Sequence, residues 1–400
     1  MRVLLADRLA PLVVGHLQDI GAEVHNEPTL KGEGLEERLR ALDPHVLVVR
    51  STVVGEEHLR AGSALSLVVR AGAGVNNIHL ETASAQGIYV ANCPGKNASA
   101  VAELTIAHLL NLDRRIADNV ASLRAQRWDK AGFSVARGLH GRTIAILGYG
   151  RIGQEVASRA AALGMHVRAW SRSLTEAKAK ALAVSRAESP EAAVEGADAV
   201  SVHLALTPET RARVGESVFS AMKPGAYFIN TSRAGVVDQD ALRRALDTNN
   251  LRAGLDVFAD EPSGGTGAFE DPLVEHKNVY GTHHIGASTL QATEAVGAEV
   301  VRVVSAYARG AIIPNCVNLA NRTEATHTLV VRHADRVGVL AGVLGILREA
   351  GINVQEMQNT LFSGGGAACA RINVVGAPSP DAIAVIRAAQ HVFDVTASSL

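Results

Sequence analysis

The chain has 400 residues, 47% of them hydrophobic, with 39 Lys plus Arg against 40 Asp plus Glu for a formal charge of −1. That length suggests two or three domains and the apolar content suffices for full cores. Near neutrality excludes the global positive field with which a chain holds nucleic acid or an anionic membrane, so neither is expected as a partner. Three cysteines, at 93, 316 and 369, form no CxxC, and no metal is expected. No apolar stretch approaches the roughly 18 residues that span a bilayer. The opening run Met1-Arg2-Val3-Leu4-Leu5-Ala6-Asp7 is too short for a signal sequence and reads as a strand, which points to a cytoplasmic, reducing location.

Short β-branched runs alternate with Ala/Leu/Arg-rich segments almost throughout. Residues 46–49 and 67–69 are apolar without alternation, the pattern of parallel strands buried on both faces, and residues 34–42 and 56–61 suit helices between strands. Alternating βα units predict an open α/β sheet. The pattern breaks at Cys93-Pro94-Gly95-Lys96-Asn97, after which residues 99–127 read as one long helix. A second βα series starts at residues 142–148 and continues through 200–204, 226–230 and 255–258. Residues 263–267 read as a loop, 289–307 as a second long helix ending at Gly310, and 314–323 as a linker. From about residue 326 the order is strand, helix, strand, strand, helix, strand.

Gly148-Tyr149-Gly150-Arg151-Ile152-Gly153 stands between an apolar strand and an Ala-rich helix. In that setting GxGxxG is a dinucleotide motif. The first glycine permits the tight turn, the second lets backbone approach a pyrophosphate, and the third permits close helix–strand packing. The next strand, 166–170, is followed by Ser171-Arg172 rather than by the acid that grips a ribose 2′-hydroxyl. Two readings stay open: Ser171 and Arg172 bind a 2′-phosphate, or Arg172 is a solvated residue stacking on adenine. NAD is the expected cofactor, with NADP possible.

Three further segments each put an ionisable residue just past a strand, where open α/β sheets bind ligands. They are Asn230-Thr231-Ser232-Arg233-Ala234-Gly235, Asp256-Val257-Phe258-Ala259-Asp260-Glu261-Pro262 and Thr282-His283-His284-Ile285-Gly286-Ala287-Ser288. Removing hydride from a secondary alcohol needs a base for the hydroxyl proton, for which His is suited. A carboxylate beside it fixes its tautomer, and an Arg holds a substrate carboxylate in a bidentate grip. Arg233, Glu261 and His284 supply these three parts.

The motifs in this order resemble the D-isomer-specific 2-hydroxyacid dehydrogenases, and within them the D-3-phosphoglycerate dehydrogenase branch that begins serine biosynthesis. The resemblance covers nearly all of the chain: Arg50-Ser51, Arg70-Ala71-Gly72-Ala73-Gly74-Val75, Asn97 before Ala102-Glu103-Leu104, the glycine loop and the three segments above. It implies two Rossmann-like doubly wound parallel-sheet domains with a cleft between them, a discontinuous substrate domain at 1–97 and 288–318 and a cofactor domain at 98–287. It places the catalytic trio at Arg233, Glu261 and His284 and the nicotinamide-holding acid at Asp256. Other cofactor contacts are expected at Thr231, Ser232 and Gly286. The small-molecule substrate is expected at Arg50, Ser51, Gly72 and Asn97, with Lys130 a candidate for its phosphate, supplied by a partner chain. A homodimer or homotetramer is implied. Departures include Ala73, Asn76, Ser171-Arg172, the glycine-rich residues 263–268, and His283 ahead of the aligned His284. His283 is read as supporting or structural.

Residues 326–400 resemble the ACT regulatory domain, an α+β βαββαβ unit. The resemblance implies an amino-acid effector, L-serine, at an interface between two such domains, contacted by His333, Asp335 and Asn353. The alternative for this region is dimerisation alone. For the whole chain the alternatives are another 2-ketoacid reductase acting on glyoxylate or hydroxypyruvate, and a dinucleotide-sensing binding protein like the C-terminal binding protein corepressors.

Overall fold

In the computed structural model, which describes residues 1–262, 266–320 and 322–400, the β-branched runs form two parallel sheets. The first contains β1 (Arg2–Leu5), β2 (Glu23–Asn26), β3 (Val46–Val49), β4 (Leu67–Arg70) and β5 (Tyr89–Asn92), in the order β2-β1-β3-β4-β5. Val46, Leu47, Val48 and Val49 are all fully buried, as a strand covered on both faces requires. The second contains β6 (Thr143–Leu147), β7 (His166–Trp170), β8 (Ser185–Arg186), β9 (Ala199–Val202), β10 (Tyr227–Asn230), β11 (Arg252–Leu255) and β12 (Val279–Gly281), in the order β12-β11-β10-β9-β6-β7-β8. Each sheet reverses direction beside its first strand, at β1 and at β6, which opens a crevice at the carboxyl ends of the strands.

The helix Leu290–Ala308 belongs to the core of the first sheet although it follows the second in sequence. Its Val300, Val303 and Val304 pack with Val3, Leu5, Val46, Val48, Leu67 and Val69. The stretch after it continues along β5: Val317 N–H donates to the Val90 carbonyl at 2.8 Å, and Asn318 Oδ1 accepts from Val90 N–H at 2.8 Å. The linker expected at 314–323 is therefore corrected in its first half, which is tied to a sheet edge. The chain divides into compact units Met1–Asn318 and Leu319–Leu400. Residues 263–265, within the expected loop, and Asn321, within the expected linker, lie outside the described residues.

The single helix expected over residues 99–127 is two, Ala98–Arg114 and Ile116–Arg124, broken at Arg115 with φ 51°. Asn111 makes the break. Its carbonyl accepts Arg115 N–H at 2.7 Å and its side-chain oxygen accepts Ala117 N–H at 2.9 Å, so one residue satisfies donors on both sides of the left-handed turn.

The second unit has β13 (His327–Ala334), β14 (Val354–Leu361), β15 (Ala367–Val374) and β16 (Val392–Ser399) in an antiparallel sheet of order β14-β15-β13-β16. Helices Val339–Glu349 and Pro380–Ala388 cover one face through Val343, Leu347 and Ile386, against Leu329, Val331 and Ile372. This is the βαββαβ order expected from the sequence. No described helix is long and apolar enough to cross a membrane.

Candidate active site

The glycine loop follows β6 directly. Gly148 lies at φ 100°, and a Cβ there would stand 2.5 Å from the carbonyl oxygen of His203. A Cβ on Gly153 would stand 2.2 Å from the carbonyl oxygen of Gly148. Neither position admits a side chain. Gly150 is different: nothing lies within 4 Å of its absent Cβ, and it caps the N-terminus of helix Arg151–Ala162. Backbone at a helix N-terminus facing open space is the cradle a pyrophosphate fits, so the residues present suit a dinucleotide. Arg151 and Ile152 form the first turn above it. The Arg151 guanidinium donates to the Pro94 carbonyl at 2.7 Å. Ser171 and Arg172 follow the end of β7, with Arg172 exposed. Across from Arg172 stands Glu209, held below the ordinary carboxylate value first by the Thr207 hydroxyl and in part by the Arg172 charge.

β10 ends at Asn230, whose side chain shapes the turn that follows. Its Oδ1 accepts from Ser232 N–H at 3.0 Å and from Ser232 Oγ at 2.7 Å, while its amide donates to the Arg233 carbonyl at 3.0 Å. Arg233 is thereby aimed at the first sheet, where a Cβ on Gly74 would lie 2.9 Å from its Nη2. Thr231 is buried, with its hydroxyl 2.8 Å from that of Thr105.

β11 ends at Leu255, so Asp256 is the first residue past the strand and is 1% exposed. Its carboxylate accepts from the Thr282 hydroxyl at 2.6 Å, Ile285 N–H at 2.9 Å and Gly286 N–H at 2.8 Å. Three donors from one turn pin that turn, and His284 lies at its crest with φ 51°. His284 Nδ1 is 2.6 Å from Glu261 Oε2, and Glu261 Oε1 accepts from Phe258 N–H at 2.8 Å. An ionised carboxylate only accepts, so Nδ1 carries the proton and Nε2 is left with a lone pair. Burial works to raise the Glu261 carboxyl. The His284 hydrogen bond, the Phe258 N–H and the charges of His284 and Arg233 outweigh it and hold the group below the ordinary carboxylate value.

His284 and Glu261 open onto a cavity of about 1090 Å³ whose other wall comes from the first sheet: Arg50, Ser51, Arg70, Gly72 and Asn97. Of these the sequence reading singled out all but Arg70. It also did not single out Arg8 and Lys31, which line the same cavity. Arg70 lies across Gly72, where a Cβ would come within 1.6 Å of Nη1. Burial lowers its guanidinium to about 10, and the charges of Arg233 and Arg50 add to the effect. Among the described residues, Arg70 Nε and Asn97 Oδ1 are buried with no hydrogen-bond partner, one donor and one acceptor in the same cleft. A buried polar atom without a partner is costly, so both favour a polar ligand.

Lys130 is not brought to this cleft. It begins the short helix Lys130–Phe133 and lines a separate hollow with Trp128 and Leu123. His283 is exposed and lines the main cavity beside His284. In the second unit, His333 is 2% exposed, with Nδ1 2.8 Å from the Ala334 carbonyl and Nε2 3.2 Å from Asn359 Oδ1. Asp335 follows the far end of β13, whereas Asn353 precedes β14 at the end level with His327 and Val374. Within one chain these three residues do not converge. The turn at 336–339 is also partly spent, since Arg336 N–H donates to the Ala334 carbonyl at 2.9 Å and Val339 N–H to the Arg336 carbonyl at 3.4 Å.

Residues 106–286 match the NAD binding domain of the D-isomer specific 2-hydroxyacid dehydrogenases. The chain is 37% identical over 360 residues to a D-3-phosphoglycerate dehydrogenase of Mycobacterium tuberculosis, an alignment covering 88% of this chain and 66% of that protein. The match thus spans about two thirds of that curated relative's length. Among solved structures it resembles D-lactate dehydrogenase from Aquifex aeolicus complexed with NAD and lactic acid (27% identity, TM-score 0.69, 80% of this chain and 100% of that one). It also resembles NAD-bound 3-phosphoglycerate dehydrogenase of Entamoeba histolytica (25% identity, TM-score 0.66, 80% and 99%).

Proposed function

The chain belongs to the D-isomer specific 2-hydroxyacid dehydrogenase family, and on that footing we propose that it oxidises D-3-phosphoglycerate to 3-phosphohydroxypyruvate with NAD, the entry step of L-serine synthesis. The observation that carries the substrate is the charge of the cleft. One carboxylate needs one bidentate cation, yet Arg50, Arg70, Arg8 and Lys31 all line the cavity, and the charges of Arg233 and Arg50 both bear on Arg70. A ligand with more than one negative group matches that charge, and a phosphate supplies the second.

Arg233 grips the substrate carboxylate, and Arg50, Ser51 and Arg70 hold the phosphate. Asn97 lines the cleft beside them. His284 Nε2 takes the proton of the C2 hydroxyl, and Glu261 steadies the imidazolium that results. NAD, when bound, would supply the acceptor for the C2 hydride. In the substrate the O–H and C–H bonds break and a C=O bond forms. Gly150 with the amides of Arg151, Ile152 and Gly153 holds the pyrophosphate, and Asp256, Thr231, Ser232 and Gly286 shape the nicotinamide side.

Ser171 and Arg172 leave room for a 2′-phosphate that an acid would repel, although Glu209 opposes it from across the site. NAD is the working cofactor, and NADP is expected to support measurable but weaker activity. Ser171→Asp should remove activity with NADP while leaving activity with NAD in place. Undetectable NADP binding by the wild type would show that Arg172 plays no such part.

The second unit is proposed as an ACT-like effector domain. Because Asn353 and Asp335 lie at opposite ends of the sheet, an L-serine site built from His333, Asp335 and Asn353 requires a second copy. Calorimetric titration with L-serine should give heat with a stoichiometry set by pairs of chains. Absence of heat, with activity unchanged on deleting residues 326–400, would leave dimerisation alone. A homodimer or homotetramer in the cytoplasm belongs to the same proposal. It is supported by the exposed apolar side chains Ile116 (48%), Leu123 (52%), Val135 (62%) and Trp128 (83%) on one part of the chain.

Two other readings are separable. A glyoxylate or hydroxypyruvate reductase needs no phosphate site, and a dinucleotide-sensing binding protein needs no turnover. Assays with D-3-phosphoglycerate, D-glycerate, D-lactate, glyoxylate and hydroxypyruvate distinguish all three. A kcat/KM highest for an unphosphorylated acid would overturn the substrate assignment.

A further inference from the structure

Asp7 is the second residue past β1 and is 6% exposed. Parallel pairing of β1 with β3 sets it level with the residues leaving β3: Leu5 pairs with Val48, and Ala6 N–H donates to the Val48 carbonyl at 3.0 Å. The residues leaving β3 are Arg50, Ser51 and Thr52. All three of their N–H groups converge on one carboxylate oxygen. Asp7 Oδ2 accepts from Arg50 at 2.6 Å, Ser51 at 3.0 Å and Thr52 at 2.9 Å, and Oδ1 accepts from the Ser51 hydroxyl at 3.2 Å.

Successive N–H groups turned to one point form an anion nest. Here the anion is built into the chain. Asn77 ties the other side of the loop, donating from its side-chain amide to the Thr52 carbonyl at 2.7 Å. The loop is therefore held from two directions, with Arg50 and Ser51 on the wall of the cavity. No hydrogen bond from Asp7 leads to a catalytic group; every donor it accepts belongs to residues 50–52.

Resting on the substrate reading above, we propose that Asp7 is a positioning residue for the phosphate end of the substrate. It fixes the 50–52 loop through four hydrogen bonds and supplies the counter-charge beneath a wall of arginines. Electrostatics support the second part: burial, and then the charges of Arg233 and Arg50, lower the Arg70 guanidinium, and Asp7 is among the groups that work against them. The carboxylate is not on the cavity wall, and the donors it accepts from are those of the 50–52 loop. The chemistry it serves is the second anionic group of a phosphorylated 2-hydroxyacid; the hydroxyl and carboxylate ends are served by His284 and Arg233.

The test is steady-state kinetics of the full-length chain with D-3-phosphoglycerate and with D-glycerate, which lacks only the phosphate. Asp7→Asn is nearly isosteric and removes the charge. It should raise KM for D-3-phosphoglycerate roughly tenfold, the worth of one charge-assisted hydrogen bond, with kcat nearly unchanged. Kinetics on D-glycerate and the Kd for NAD should match the wild type. Asp7→Glu keeps the charge but pushes the loop outward, and should show the same selective rise. Equal losses on both acids would overturn the inference, since a merely structural role acts on both. So would unchanged KM in both variants, or failure of both to fold, which would make the carboxylate a determinant of the fold instead. A wild type with no preference for the phosphorylated acid would overturn the substrate reading, and the role of Asp7 with it. A wild-type preference that is undiminished in Asp7→Asn overturns the role of Asp7 alone.

Discussion

His284→Ala is expected to lower kcat by roughly 100-fold or more, the usual worth of a positioned general base. The geometry gives the reason. Glu261 occupies Nδ1 at 2.6 Å, which leaves Nε2 as the proton acceptor on the ring. The turn carrying the ring is pinned by three donors to Asp256, so removing the imidazole leaves the backbone in place and isolates the chemical step. KM should change little, because the ring grips neither the carboxylate nor the phosphate. Glu261→Gln should lose less than His284→Ala, as the imidazole remains but its tautomer is no longer fixed. Since the folded Glu261 carboxyl titrates below its ordinary value, the pair is intact at neutral pH and is lost only as pH falls through that depressed value. The check is kcat for wild type and both variants over a range of pH. A His284→Ala protein with wild-type kcat at any pH would remove His284 from the chemistry.

Arg233→Ala should reduce kcat/KM on the order of 100-fold, as expected for about 3 kcal/mol lost with a buried charge-assisted pair. The loss should appear in KM and kcat together, because the carboxylate is held both in the bound acid and while hydride leaves the neighbouring carbon. Arg233→Lys should recover only part, since an ammonium lacks the guanidinium fork. Stability should change little. Arg233 repels buried Arg70 but attracts Glu261, so its removal loses contributions of opposite sign. Thermal unfolding is therefore expected to show a Tm close to that of the wild type. A large fall in Tm with the same kinetic loss would mean that Arg233 holds the fold rather than the substrate.

The parts of the site legible in the sequence are those in which residue type is forced by geometry. Gly148 and Gly153 face carbonyl oxygens that no Cβ can approach, so a glycine pattern between strand and helix states its own structure. Arg233, Glu261 and His284 were legible because strand ends of one sheet converge on one edge. Arg70 was quoted within a motif but not singled out, because an arginine at a strand end looks the same whether it faces solvent or lies across a glycine into a cleft. The break at Arg115 left no trace either: it depends on a side-chain oxygen of Asn111 reaching Ala117, and residues 99–127 keep their helical spacing through it. Asp335 and Asn353 are close in sequence and both polar, yet one follows β13 and the other precedes β14, at opposite ends of the sheet. β13 and β14 both run antiparallel to β15 and so parallel to each other, and the helix between them carries the chain back along the sheet, which decides that placement rather than residue type.

The most direct measurement is NADH formation from D-3-phosphoglycerate and NAD by the purified chain, with His284→Ala assayed beside it. Steady turnover by the wild type, at least roughly 100-fold faster than by the variant, is the expected result. No NADH from the wild type, or equal rates from the two proteins, would contradict hydride transfer at this cleft.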